Sequence, residues 1–380
     1  MTAAARTRQH WRAGLLSGLS QSLASAVTAV DVVGVAAKTL LRAVPADVWY
    51  AVVLDPSTLL ETGGIHVAGF PPETMPRLFE IEYVEQNDVD NLRALARRAS
   101  PVCLLSMSAK GNLASSTYYR DILAPLGLAD EMRVLLRDGA RTWGLFVLCR
   151  AVSSVAFSRA ELADARVIAA PVAEALRQSF VRTGTDPGTI ADGTGLVTLD
   201  QAQRIVAMSR TAQLFVADLQ EDGLDGGQYC PYAFRALAAQ ARTVAVCESV
   251  RSHARTRSGR WVSLNACVMG EGAPLTIAIG PPELSELMAV VLDAYDLSPR
   301  HRQITEMVLR GRSTEDIMTT LRLSKNTLAG YFTKIFETIG VRRCSELAGK
   351  IFLRHYQPRL GHGQLTLDGR LMADLDGGQT

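Results

Sequence analysis

Residues Leu297 to Tyr356 read LSPRHRQITEMVLRGRSTEDIMTTLRLSKNTLAGYFTKIFETIGVRRCSELAGKIFLRHY. Four short helical patterns are spaced by capping and stop residues. Ser298 caps the first, with Pro299 at its first position, where a missing N–H is harmless. Ile304, Val308 and Leu309 form its stripe, and Gly311 ends it. Ser313 opens the second helix, with Glu315 and Asp316 in its first turn and Ile317 and Leu321 on one face. Arg322-Leu323 makes a tight turn and Ser324 caps the third helix. There Leu328, Phe332, Ile335, Phe336 and Ile339 follow the rhythm of a buried face. Asn326, Ala329, Gly330, Thr333 and Glu337 lie opposite, and Gly340 stops the helix. Ser345 and Glu346 open a fourth, with Leu347, Ile351 and Phe352 as its apolar face.

This stretch also carries the charge. It holds eleven Arg and Lys against five Asp and Glu, a balance of +6, whereas the whole chain is +2, so the other 320 residues sum to −4. A basic block on a mildly acidic body is the electrostatic footprint of a nucleic-acid-binding module joined to something else. Two helices joined by a tight turn, the second with a small polar outer face, suit insertion of one helix into the major groove.

The segment resembles the LuxR-type (GerE-like) helix-turn-helix of bacterial transcription regulators. The matching residues are Leu297, Ser298, Arg300, Gly311, Ser313, Asp316, Ile317, Leu321, Ser324, Thr327, Leu328, Ile335, Gly340, Val341 and Arg342. The resemblance implies an all-α four-helix domain over 297–356 that binds double-stranded DNA as a homodimer. Base contacts are expected from Asn326, Thr327, Gly330 and Thr333. Phosphate contacts are expected from Ser313, Lys325, Lys334, Arg342 and Arg343, which position without specifying. The chain departs from the family at Ala329 and Gly330, often basic or amide residues there, and at Tyr331, usually His. Bidentate guanine readout from position 329 is therefore not available. Glycine inside a helix costs about 1 kcal/mol relative to alanine, which fits close backbone approach to DNA or a merely tolerated residue.

At 380 residues the chain has room for two or three domains, and 48% apolar with 21% charged residues describes soluble globular domains. Aromatic content of 6% argues against base stacking as the main recognition mode. Six scattered cysteines without a Cys-x-x-Cys pair suit free thiols in a reducing cytoplasm. Arg6 to Arg12 followed by uncharged Ala13 to Val30 mimics an export signal. Five Ser and Gln residues (17, 20, 21, 22 and 25) dilute that run, and Leu15, Leu16, Leu19 and Leu23 share one helical face, so an amphipathic helix is expected and no membrane partner.

The body reads as α+β. Helical patterns at 10–24 and 28–43 precede strands at Val48–Leu54 and 65–68, a polar helix at 87–98 and an apolar run at 102–105. Residues 131–137 and 142–149, joined through Asp138-Gly139, read as a hairpin, and Ser158 caps a helix to about Arg182. This order resembles a GAF domain over about 25–182, within an N-terminal segment of 1–182. Residues 183–194 are a linker by composition. Strand signals at 196–199, 205–208, 261–268 and 275–279 are similar to a PAS domain over 195–282. Antiparallel sheets with flanking helices are expected in both, and no internal repeat is apparent. Leu284, Leu287, Met288, Val291, Leu292 and Tyr295 mark a connector helix at 283–296, and 357–380 reads as a tail.

No catalytic signature, phosphate loop or metal-ligand cluster occurs, so no enzyme activity, metal or evident cofactor is expected. Asp55 reads as a cap or turn aspartate, and His66 and His253 as ordinary surface or hydrogen-bonded histidines. The cyclic-nucleotide signature of GAF domains and the flavin motif of light-sensing PAS domains are both missing, so any small-molecule effector is unspecified. The expected function is a cytoplasmic, sequence-specific transcription regulator. The alternative is a protein-interaction scaffold with a secondary DNA tether.

Overall fold

The computed structural model describes residues 3–66, 69–139, 141–181, 193–221, 230–270 and 272–351. Most of the linker, the end of the expected strand at 65–68, residues 352–356 of the C-terminal segment and the tail lie outside them.

The first unit opens with α1 (Ala3–Ser25) and α2 (Ala29–Ala43), the latter started by a reciprocal cap between Thr28 and Asp31. Then follow β1 (Val48–Leu54), β2 (Glu61–Ile65) and the short helices α3 (Met75–Phe79) and α4 (Leu92–Leu95). Next come β3 (Val102–Leu104), α5 (Leu105–Ser108), the hairpin β4 (Leu128–Asp138) and β5 (Arg141–Ala151), and α6 (Arg159–Val181). Ser158 caps α6 as the sequence predicts, accepting the N–H of Glu161 at 3.2 Å. The polar helix expected at 87–98 shrinks to the single turn α4. The strand expected from residue 65 runs instead from Glu61 to Ile65.

The second unit holds β6 (Gly195–Leu199), β7 (Ile205–Met208), α7 (Arg210–Asp218), α8 (Tyr232–Ala241), β8 (Ser249–Arg255), β9 (Trp261–Val268) and β10 (Leu275–Gly280). The connector α9 (Leu284–Ala294) leads to the C-terminal helices α10 (Pro299–Leu309), α11 (Thr314–Leu321), α12 (Lys325–Ile339) and α13 (Cys344–Ile351).

Both sheets are antiparallel, in the orders β2-β1-β5-β4-β3 and β7-β6-β10-β9-β8. Counted within each sheet these are the same order, so the body is a topological repeat. The expectation of no internal repeat concerned the sequence, and this shared order is a property of the sheets alone. Strand order is a long-range property, and the two units share it without sharing residues.

The units meet edge to edge. Leu219 and Glu221 stitch β2 to the residue following β8 through a parallel bridge, Gly64 to Glu221, and an antiparallel one, Leu219 to Thr256. The approach needs glycine in β2, because a Cβ on Gly63 would lie 2.2 Å from the Gln220 carbonyl oxygen. Helix α8 fills the space between the sheets, and eight of its ten residues are buried. A helix apolar on every side belongs inside a core.

Strand alternation sorts the first sheet into two cores. Ala51, Val53, Met132, Val134, Phe146 and Leu148 face α2 and α6, in a cluster that continues through α9 into α10–α13. Tyr50, Val52, Leu135, Leu145, Val147 and Cys149 face the other way and join the inner face of the second sheet and α8. Apolar packing thus crosses every boundary in the described chain. No helix among the described residues is long and apolar enough to cross a membrane.

Candidate nucleic-acid interface

The C-terminal helices start where hydroxyl groups replace missing backbone partners. Ser298, Ser313 and Ser324 each accept the N–H three residues on, from His301, Asp316 and Thr327. Arg322, in the left-handed region at φ 52°, caps α11, and Gly340 at φ 72° caps α12. The fourth helix begins one residue earlier than predicted, at Cys344, with Glu346 reaching back to the N–H of Arg342 at 2.9 Å.

One face of α12 is held in the core. Leu328, Ile335 and Ile339 are buried with Ile304, Ile317, Leu321, Leu347 and Ile351. Phe332 and Phe336, expected in that face, are only half-buried and stack on each other at 5.5 Å. Tyr331 meets the edge of His301 at 5.4 Å.

The opposite face is open. Asn326, Thr327, Gly330 and Thr333 are all exposed, and an added Cβ on Gly330 would meet nothing within 4 Å. Their polar groups are not equally free. The Thr327 hydroxyl is 2.8 Å from that of Ser324, and Thr333 donates to the Ala329 carbonyl at 3.1 Å. Asn326 has no side-chain partner among the described residues, so its amide keeps a donor and an acceptor for an adenine edge.

The expected phosphate contacts are exposed as well, but their charges differ in commitment. Lys334 pairs with Glu337 at 3.3 Å and Arg343 with Glu346 at 2.8 Å. Lys325 and Arg342 form no ion pair among the described residues. Ser313 is exposed at the start of α11, its hydroxyl occupied by the cap. Three further exposed cations were missed by the sequence reading: Arg310 and Arg312, beside Ser313, and Arg322 in the turn before α12. Their positions in the two loops flanking α11 were the available signal.

The body offers a second place for chemistry. On the α8-facing side of the first sheet, Glu131 and Arg133 are two apart on β4, pair at 2.6 Å, and are both buried. Arg133 also reaches Glu82 at 3.0 Å and the Asp90 carbonyl at 2.9 Å, and Glu131 accepts the hydroxyl of Tyr118. Burial pushes the Glu131 carboxyl up despite Arg133. Nearby, His66 lies 2.8 Å from Glu61 and stacks at 3.8 Å on Tyr232, which α8 brings from the second unit. The cavities beside these groups measure about 10 and 20 Å³, each room for roughly one water. An effector larger than that needs the side chains around it to move.

No protein-family model matches this chain, and no curated protein does. Among solved structures it is similar to a phage VqmA–DPO complex, at 17% identity and a TM-score of 0.18, over 49% of this chain and 91% of that one. The bacteriophytochrome RpBphP3 of R. palustris gives 12% identity and a TM-score of 0.29, over 73% of this chain and 63% of its own. The E. coli DhaR(N)–DhaL complex gives 13% and 0.17, over 74% and 91%. At these TM-scores the likenesses decide nothing about this chain.

Proposed function

We propose that this chain is a sequence-specific, DNA-binding transcription regulator of the LuxR type. On this reading α10–α13 form the DNA-binding module, with α12 as recognition helix, and the chain acts as a cytoplasmic homodimer. The two α+β units are its sensing body, GAF-like and PAS-like, responding to a small-molecule effector. The reading assigns the chain no catalytic role.

One observation carries it. Helix α12 is fixed by a buried apolar face and turns an exposed face of Asn326, Thr327, Gly330 and Thr333 to solvent, flanked by exposed Lys325, Lys334, Arg342 and Arg343. Small polar groups between cations are the chemistry of base edges between phosphates.

Selection from a random pool of DNA duplexes with the full-length protein tests this. An enriched motif whose retention weakens steeply with salt is the expected outcome. A pool that stays random, with a protein partner co-purifying instead, replaces this reading with the interaction-scaffold one.

A further inference from the structure

Helix α9 is held at its two ends by different parts of the body. At its start Glu286 forms a reciprocal cap with Glu283, and its carboxylate takes Arg251 of β8 and the hydroxyl of Ser263 of β9 at 3.3 Å. It also lies 3.7 Å from Nε2 of His253, whose Nδ1 lies 3.3 Å from Asp55. These partners, Asp55 excepted, belong to the second unit.

The far end belongs to the first unit. Asp293 pairs with Arg141, at the start of β5, at 2.9 Å. Arg177 of α6 donates to the Ala294 carbonyl at 2.7 Å and is itself held by Asp138 at 2.6 Å. Asp138 and Arg141 flank the tip of one hairpin, so that tip supplies an anion to α6 and a cation to α9.

Asp293 also pairs with Arg302 of α10, across the short link that joins the connector to the C-terminal helices. Arg302 in turn holds Glu306 at 3.0 Å, making the link an elbow braced by charge. A carboxylate in the last turn of a helix faces the negative end of the dipole. Here two arginines compensate it. Between the grips Val290, Val291 and Leu292 are at most 1% exposed, so this stretch of the helix is packed into the core.

We propose that α9 is a lever whose start is fixed to the second unit and whose end is latched to the first, so that its tilt reports the relative position of the units to α10–α13. An arm of roughly 10 Å separates Glu286 from Asp293, from 1.5 Å per residue. Any slip along the seam between the units must then turn the elbow at Asp293.

The latch is tested by hydrogen exchange on the full-length protein. In Arg141→Gln, exchange through α10 and the last turn of α9 should rise several-fold while the start of α9 stays protected; Arg251→Gln should loosen the start. Asp293→Asn, which also loses Arg302, should give at least the Arg141→Gln effect, and the double variant little more than Asp293→Asn alone. Unchanged exchange in α10 of Arg141→Gln, or additive effects, would overturn the latch. The DNA readout rests on the function proposed above: Arg141→Gln should change affinity at least about fivefold without touching α12. If wild-type protein selects no DNA motif, that functional reading falls while the exchange result still decides the lever. Equal affinity in a wild type that does bind would leave the lever without a role in DNA binding.

Discussion

The carboxylate of Asp55 accepts the backbone N–H of His253 at 2.8 Å, tying the end of β1 to β8 across 198 residues. The same carboxylate accepts the N–H and hydroxyl of Ser57, at 2.8 and 2.5 Å, as a turn aspartate does. Burial pushes its carboxyl up, but the bonds from His253 and Ser57 outweigh that and hold it below the usual carboxylate range. A depressed folded-state value contributes stability that is present above the unfolded value of about 3.9 and is lost as pH falls through the folded one. Asp55→Ala should therefore lower unfolding free energy at pH 7 by about 1–3 kcal/mol, through donors left buried. The deficit should narrow below about pH 4. Urea melts of both proteins at pH 7 and pH 3 check this; a deficit independent of pH would put the effect outside the carboxylate.

Arg133 stands between two carboxylates in the interior of the first unit. Arg133→Met keeps the bulk and leaves Glu131 uncompensated, and breaking a buried pair costs about 3–5 kcal/mol. Loss of Arg133 would push the Glu131 carboxyl up further. The raised Glu131 value has the opposite sign to Asp55: its charged form is disfavoured in the folded state, so the variant should regain stability as pH falls through the folded value. A variant as stable as wild type at pH 7 would show the pair to be dispensable.

What the sequence revealed and what it hid divide along locality. The caps at Ser298, Ser313 and Ser324 are decided within four residues, and each is found where its spacing put it. The hairpin around Asp138-Gly139 is equally local. Helix α8 was missed because Arg235 and Gln240 alone carry long polar side chains in Tyr232–Ala241, too few to mark a solvent face among its small apolar residues. His66 and His253 each read as ordinary because Tyr232 and Asp55, their contacts, are remote in sequence. Phe332 and Phe336 fit the apolar rhythm of α12, but among the described residues they are only half-buried. The free side chain of Arg342 against the paired one of Arg343 depends on Glu346, whose carboxylate turns back over its own helix start to the Arg342 N–H and the Arg343 guanidinium.

That difference predicts unequal phosphate anchors. Arg342 has no ion-pair partner among the described residues, whereas Arg343 is 2.8 Å from Glu346. If two modules each neutralise about four phosphates, the slope of log affinity against log salt is about −7. Arg342→Ala should make it shallower by about one unit per module and weaken all sequences alike. Arg343→Ala should change it less, because its charge is already partly met. Equal slopes for wild type and Arg342→Ala remove that residue from the anchors.

All six cysteines are free. Burial pushes the Cys103 and Cys230 thiols up to about 12, while Cys247 is exposed. Thiolate is the reactive form. Alkylation of native protein should therefore label Cys247 first and spare Cys103, Cys149 and Cys230, and unfolded, unreduced protein should yield six thiols. A deficit of two would reveal a disulfide.

Gly330 sits in the middle of α12 with open space where its Cβ would be. Nothing in the protein therefore opposes a methyl group, and Gly330→Ala should raise helix propensity by up to about 1 kcal/mol. Folding stability should hold or rise. Space left empty at a cost to the helix, on the exposed face that carries Asn326 and Thr333, fits a partner whose surface comes within contact of the backbone. If that partner is a base edge or phosphate, the added methyl collides with it. Specific DNA affinity should then fall, while non-specific binding, which depends on Lys325 and Arg342, survives. Thermal unfolding and fluorescence anisotropy on one preparation separate the two effects. A variant that is more stable and binds its selected duplex as tightly would make Gly330 incidental, leaving readout to Asn326, whose amide is uncommitted, with Thr327 and Thr333 beside it.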